Sequence, residues 1–202
     1  MTNKNKPNKI KKIVLAAGES KRFGDKNKLL EMINDKPIIN HILDTLFEIF
    51  DYSELIVIVG HEHKLIKNSI FNKDIKILEN IDYKKGIGTS IALGVNYLER
   101  DIDGVMIILA DMPYLNSKDL YNLEKKFIEL NCEKVVMPEY NSRIGNPVIL
   151  PRSYFNILKS LKDDFGARSL IKKKDIITFK TGFGTIFDID TRDELTKPKP
   201  NF

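Results

Sequence analysis

The chain has 202 residues, 42% of them hydrophobic and 30% charged, with a formal net charge of +5 at pH 7, which is enough for one domain to bury its own core without metals or disulfides. Cys132 is the only cysteine, so an intramolecular disulfide and a cysteine-cluster metal site are excluded, and no apolar run approaches the roughly 18 residues that a membrane helix needs. The positive excess sits toward the ends, at Lys4, Lys6, Lys9, Lys11 and Lys12 and again at Lys197 and Lys199. Solvated tails at 1–11 and 197–202 around a domain at 12–196 account for it. No basic stretch is interleaved with stacking aromatics, so no nucleic-acid partner is expected. No apolar signal segment follows the basic start, which points to the cytoplasm.

In chain order, the run from Lys12 to Ala17 is short and apolar and closes on Gly18, which predicts a buried strand opening into a loop. Pro37 stands at a first helical position, and Ile38, Ile39, Ile42, Leu43, Leu46, Phe47 and Phe50 follow at helical spacing. Residues 54–60 repeat the strand pattern, 62–71 read as a polar helix and 75–78 as a third strand. A helix over 89–98 leads to the most continuous apolar run, 104–110, which stops at Asp111-Met-Pro113. Ser117 is a good N-cap for a helix ending near Leu130. Beyond a strand at 135–137 the pattern loosens, with short helices near 153–161 and 166–172 and strands near 176–179 and 185–189. Near-continuous apolar strands alternating with helices predict an α/β fold, a single three-layer domain with a mostly parallel, Rossmann-like sheet.

Ligands of such sheets gather where strands stop. The first stop is Leu15-Ala-Ala-Gly-Glu-Ser-Lys-Arg-Phe-Gly24, followed by Lys28. Small residues admit a ligand close to the backbone, successive N–H groups can cradle phosphate oxygens, and Arg22 and Lys28 bring charge for a polyphosphate. Gly24 is followed by Asp25, so this is no P-loop, and no G-x-G-x-x-G is present; by spacing alone the stretch also reads as a flexible surface loop. The second stop is Asp111, stiffened by Met112-Pro113, a carboxylate suited either to Mg²⁺ shared with substrate phosphates or to a turn. Asp188 and Asp190 fall on one side of the last predicted strand's end, where either could join Asp111 on one ion. His61 and His63 lack a third ligand at zinc spacing, and His41 falls inside the amphipathic helix as a structural residue.

The first motif resembles the LAAGxSxRxG…K signature of the MobA-like nucleotidyltransferases, and Leu109-Ala-Asp-Met-Pro113 resembles their metal-binding aspartate at a strand end. The stretches Asn80-Ile-Asp-Tyr-Lys-Lys-Gly-Ile-Gly-Thr-Ser90, Gly145-Asn-Pro-Val148 and Asp164-Phe-Gly-Ala-Arg168 are similar to the molybdenum-cofactor cytidylyltransferases. The departures are Phe23, where methionine is frequent, and the additional Asp25-Lys26-Asn27 before Lys28. The resemblance implies Mg²⁺-dependent transfer of CMP from CTP to the phosphate of molybdopterin, with Ala17, where guanylyltransferase relatives carry glycine, as the pointer to cytidine. It implies Arg22 and Lys28 on the triphosphate, Asp111 with Asp190 on the metal, and Asp188 in reserve. Leu15, Ala16, Ala17 and Gly18 would line the base and ribose, Asn80, Gly86 and Ser90 the nucleotide side, and Asn146 and Arg168 the acceptor. A molybdoenzyme or chaperone is the protein partner it would bring. Two other readings use the same residues: cytidylyl or guanylyl transfer to another phosphorylated acceptor, such as a sugar or alcohol phosphate, and a non-catalytic nucleotide- or cofactor-binding chaperone.

Overall fold

Burial on both faces decides the central strands. In the computed structural model, which describes residues 8–24, 26–164 and 166–196, β1 (Ile10–Ala16) sends Val14 and Ala16 into one apolar cluster and Ile13 and Leu15 into another on the opposite face, as the two-residue repeat of a strand requires. A small antiparallel ribbon, β2 (Met32–Ile33) with β3 (Lys36–Pro37), delivers the chain to α1 (Ile38–Phe47). There follow β4 (Leu55–Val59), α2 (His63–Ser69), β5 (Lys76–Glu79), α3 (Ile87–Tyr97), β6 (Gly104–Leu109) and α4 (Ser117–Glu129). The last third holds β7 (Val135–Tyr140), β8 (Arg143–Ile144), β9 (Val148–Pro151), α5 (Phe155–Lys159), β10 (Ile176–Lys180) and α6 (Arg192–Thr196).

Among the described residues the main sheet has the order β10-β7-β9-β6-β1-β4-β5, with β8 paired on β7. Strand β1 is parallel to β4 and β6, β4 to β5, and β7 to β10, while β9 runs against both of its neighbours. Helices α1, α2 and α4 place Ile38, Ile42, Ile66, Leu120, Leu123 and Phe127 in the cluster on one face. On the other face α3 and α5 contribute Ile91, Val95, Phe155 and Leu158. The fold is therefore a three-layer α/β domain with a mostly parallel sheet. From β1 the chain steps outward through β4 and β5 and then returns to β6 on the other side of β1, so the strand order reverses between β1 and β6, the place where such sheets bind ligands. Among the described residues no helix is long and apolar enough to cross a membrane.

Several boundaries differ from the sequence reading. The first strand begins at Ile10 rather than Lys12, because Ile10 is buried and pairs with Gly104. Asn116, not Ser117, caps α4, its side chain accepting the Asp119 N–H at 2.8 Å. Pro37 is the capping residue of α1 rather than its first helical one. The helix read over 166–172 is the 3₁₀ turn Ala167–Leu170. Lys4, Lys6, Lys197 and Lys199 lie outside the described residues.

Lys12 is the plainest correction to the idea of basic tails. It is 0% exposed, inside β1, and its ammonium meets Glu54, the Glu124 Oε1 at 3.0 Å, the Ile10 carbonyl at 3.1 Å and the face of Phe50 at 3.8 Å. Burial raises the Glu124 pKa, and the Lys12 charge works against that rise. Removing one member of a buried ion pair strands the other in a poor solvent. Lys12→Ala should therefore lower stability by about 3 kcal/mol, whereas Lys12→Met combined with Glu124→Leu should cost much less; urea unfolding followed by circular dichroism measures both.

Candidate active site

The carboxyl edge of the sheet at the reversal is hollowed into a cleft of about 510 Å³. Leu15 and Ala16 at the end of β1 and Ala17 and Gly18 just past it run along the cleft, with Arg22, Lys28, Asp111 and Asp190 on the β6 side and Tyr83, Gly86, Ile87 and Ser90 on the β5 side.

The loop after Gly18 is anchored rather than loose. Ser20 stands in the left-handed region at φ 54, and its Oγ accepts the Lys28 N–H at 3.3 Å. Asn27, 3% exposed, caps the 3₁₀ turn Lys28–Leu30 by accepting the Leu29 N–H at 3.1 Å. Phe23 and Leu29 are buried beneath. Asp25 lies outside the described residues, but the additional Lys26-Asn27 is absorbed into this turn.

Lys28 is delivered into a nest of carboxylates. Its Nζ lies 2.6 Å from the Asp111 Oδ2 and 2.9 Å from the Asp190 Oδ1, and the Arg22 guanidinium reaches the Asp190 Oδ2 at 2.8 Å. Burial presses the Lys28 pKa down, yet Asp111 and Asp190 outweigh it and hold the ammonium above its ordinary value. Burial raises the Asp111 pKa, the Lys28 charge opposes that rise, and Asp188 adds to it. The Asp111 Oδ1 is buried without a hydrogen-bond partner among the described residues, and carboxylate oxygens of Asp111, Asp188 and Asp190 all lie within 4.8 Å of one another. Hard oxygen donors at that spacing, one of them an orphaned buried acceptor, suit a divalent cation such as Mg²⁺.

The acids at 188 and 190 arrive by a route that differs from the predicted one. Residues 185–189 are not a strand: Phe183–Ile186 is a 3₁₀ turn, and the chain continues extended at Phe187. A Cβ on Gly184 would fall 1.9 Å from the Tyr114 carbonyl oxygen, and one on Gly145 would fall 2.0 Å from the Thr185 carbonyl oxygen. The segment is thus threaded between two backbone walls, and its polar groups are satisfied outside any ladder. The Asn146 N–H donates to the Thr185 carbonyl at 2.7 Å and the Ile189 N–H to the Asp111 carbonyl at 2.9 Å. The Asp190 and Thr191 N–H groups donate to the Glu194 carboxylate at 2.8 and 2.9 Å. Asp188 is exposed, while Asp111 and Asp190 are partly buried.

The other predicted residues divide. Ser90 and Gly86 line the cleft. Asn80 does not: it is buried, donates to the Thr89 and Ser90 hydroxyls at 2.8 Å each and accepts the Asp82 N–H at 2.9 Å, so it braces the start of α3. Asn146 and Arg168 lie beside the cleft rather than in its lining. Arg168 donates to the Gly145 carbonyl; desolvation lowers its pKa, and the Asp188 charge counters that. His63 pairs with Glu79 at 3.5 Å, His61 lies 3.9 Å from Glu62, and the His41 Nε2 is 2.8 Å from the Ile33 carbonyl. Tyr83, which also lines the cleft, is not among the predicted residues; it lies shortly past the end of β5, inside the Asn80–Ser90 stretch.

A cleft of this kind at the reversal of a three-layer sheet, with a cation-bearing loop facing an acid cluster, accompanies a sequence match to a known family of transferase domains. The chain belongs to the MobA-like NTP transferase family, whose domain model matches residues 12–177, and is a nucleotidyltransferase of that family. It is 30% identical over 176 residues to the bifunctional protein GlmU of Thermosipho africanus, a match covering 84% of this chain and 36% of that protein. It thus spans about a third of the length of that curated relative. It is 29% identical to the purine catabolism protein PucB of Bacillus subtilis over 90% of this chain and 92% of the relative. The manganese complex of Rv0371c from Mycobacterium tuberculosis H37Rv superimposes with a TM-score of 0.73 at 19% identity, covering 92% of this chain and 95% of that one.

Because the Lys28 ammonium sits between the carboxylates, it competes with a divalent ion. Lys28→Met should tighten Mn²⁺ binding about tenfold, or ~1.4 kcal/mol, and Asp111→Asn should weaken it by at least as much; titration followed by electron paramagnetic resonance reads both constants.

Proposed function

We propose that the chain transfers the cytidylyl group of CTP to the phosphate of molybdopterin and releases pyrophosphate. The observation that carries this reading is the Lys28 ammonium held between Asp111 and Asp190 at one end of the Ala17-Gly18 strip, a cationic grip and an oxygen-donor cluster facing one cleft. An acceptor phosphate oxygen attacks the α-phosphorus, the new P–O bond forms, and the bond to the bridging oxygen of the leaving pyrophosphate breaks. The attacking oxygen is already an anion at neutral pH, so no strong general base is needed; the burden is to bring two polyanions together.

Lys28 and Arg22 meet that burden. Exchange of a carboxylate oxygen for a phosphate oxygen keeps the Lys28 ammonium paired throughout, and the Arg22 side chain, 78% exposed, is free to swing toward the β- and γ-phosphates. Asp111 and Asp190 would hold Mg²⁺, with Asp188 beside them; when bound, the ion would supply charge neutralisation on the transferring and leaving phosphates. Leu15 to Gly18 offer backbone groups to ribose and base, and Ala17 favours cytidine. Asn146 and Arg168 serve the acceptor, the guanidinium suiting a phosphate or a flat ring. A second reading, nucleotidyl transfer in purine catabolism, draws support from the match to PucB along nearly that relative's whole length.

Isothermal titration with Mg²⁺ across CTP, GTP, ATP and UTP should give CTP the lowest Kd, and a GTP preference removes the cytidine assignment. Pyrophosphate release from CTP should require molybdopterin; steady turnover with a sugar phosphate in its place refutes that acceptor. Asp111→Asn should cut turnover at least about a hundredfold while the thermal midpoint stays close to wild type; unchanged activity takes Asp111 out of the mechanism.

A further inference from the structure

The wall of the cleft opposite the acids is assembled from three separated stretches. Gly60, just past β4, is so closely held that a Cβ there would come 2.7 Å from the Tyr83 Cβ, 2.8 Å from its Cγ and 2.9 Å from the Ala17 Cβ. Ala17 is tied to the same edge, its carbonyl accepting the His61 N–H at 3.1 Å, and the His61 ring stands 6.0 Å from that of Tyr83. Tyr83 opens the 3₁₀ turn Tyr83–Lys85 that leads into α3, and its carbonyl accepts the Gly86 N–H at 3.1 Å. Its backbone cannot retreat without undoing the start of that helix.

Tyr83 also borders a second hollow, of about 540 Å³, whose lining includes Gly60, His63, Leu65, Glu79 and Ile81. Tyr83 belongs to the lining of both hollows. Tyr83 is half-buried and stands where the two hollows meet.

The strand order says what meets that ring. Asp111 follows β6 and Tyr83 follows β5, with β1 and β4 between them. A nucleotide lying across the strand ends with its phosphates at Lys28 and Arg22 directs its base past Ala17 toward Tyr83. Resting on that proposed placement of the phosphates, we infer that Tyr83 determines base size: its ring closes the cleft at the reach of a pyrimidine, and the second hollow is the space a purine would need. The proposal assigns this role to the ring, which stands 6.0 Å from that of His61, and not to the hydroxyl.

The test is the ratio of GTP to CTP dissociation constants, measured calorimetrically with Mg²⁺ for wild type, Tyr83→Phe and Tyr83→Ala. Tyr83→Phe should keep the wild-type ratio within about twofold, and Tyr83→Ala should lower it about tenfold or more, chiefly by gaining GTP affinity, the scale on which pocket shape discriminates. An unchanged ratio in a cooperatively folding Tyr83→Ala overturns the inference, as does an equal change in Tyr83→Phe or a wild type without pyrimidine preference. Should Tyr83→Ala not fold, Tyr83→Leu carries the same expectation. Failure of the proposed reaction is separable from failure here: a chain that prefers UTP, or that leaves molybdopterin unmodified, still reports through its purine-to-pyrimidine ratio whether Tyr83 is the gate.

Discussion

Three acids cannot share a partly buried edge of a sheet unless something positive stands among them, and the Lys28 ammonium between Asp111 and Asp190 meets that requirement. The constraint reaches across the whole chain, because Lys28 and Asp190 are 162 positions apart. It requires the loop after β1 to fold back on itself, with Ser20 and Asn27 gripping its far end. It also requires the last segment to return over the sheet, pressed between the backbones at Tyr114 and Gly145 and bonded through Ile189 to Asp111. An electrostatic knot thus joins the beginning, middle and end of the domain at one point.

The surrounding structure keeps that knot accessible. The reversal of strand order between β1 and β6 leaves a gap that no crossover helix fills, and the small residues Ala16, Ala17 and Gly18 keep it open along its length. On the far side Asn80 bonds the hydroxyls of Thr89 and Ser90 and the Asp82 N–H, which braces the first turn of α3 and holds Ser90 at the cleft. Lys28, Asp111 and Asp190 concentrate charge on one flank of the cleft, and Tyr83 and Ile87 line the other together with Lys84, Lys85 and Asp164.

Much of this was legible in the sequence because it depends on neighbours along the chain. Buried parallel strands are continuous apolar runs, and the places where they stop, at Gly18 and Asp111, mark the functional edge directly. What stayed hidden depends on partners far away. Lys12 reads as one more basic residue near the start, since Glu54 and Glu124, which let it be buried, lie 42 and 112 positions on. Residues 185–189 alternate like a strand, but their backbone partners are a loop and a turn, which no periodicity records. Tyr83 lies in a polar stretch, and only the absence of a side chain at Gly60 lets its ring become a wall. The pairing of Lys28 with the acids, as opposed to the mere presence of both, likewise needed three dimensions.

Strand β9 shows what a change of direction does to an edge. Because it runs against β6 and β7, with Val148 paired to Ile107 and Pro151 to Gly104, it presents its beginning where its neighbours present their ends. Gly145 and Asn146 therefore reach the same edge as Asp111, although a reader who looks only where strands finish passes them by. It also divides the sheet into two blocks, β6, β1, β4 and β5 on one side and β7 with β10 on the other, stitched by a single strand of opposite sense. Such a seam lets residues of both blocks meet at one edge, as Asp190 from beyond β10 meets Lys28 and Arg22 of the first block.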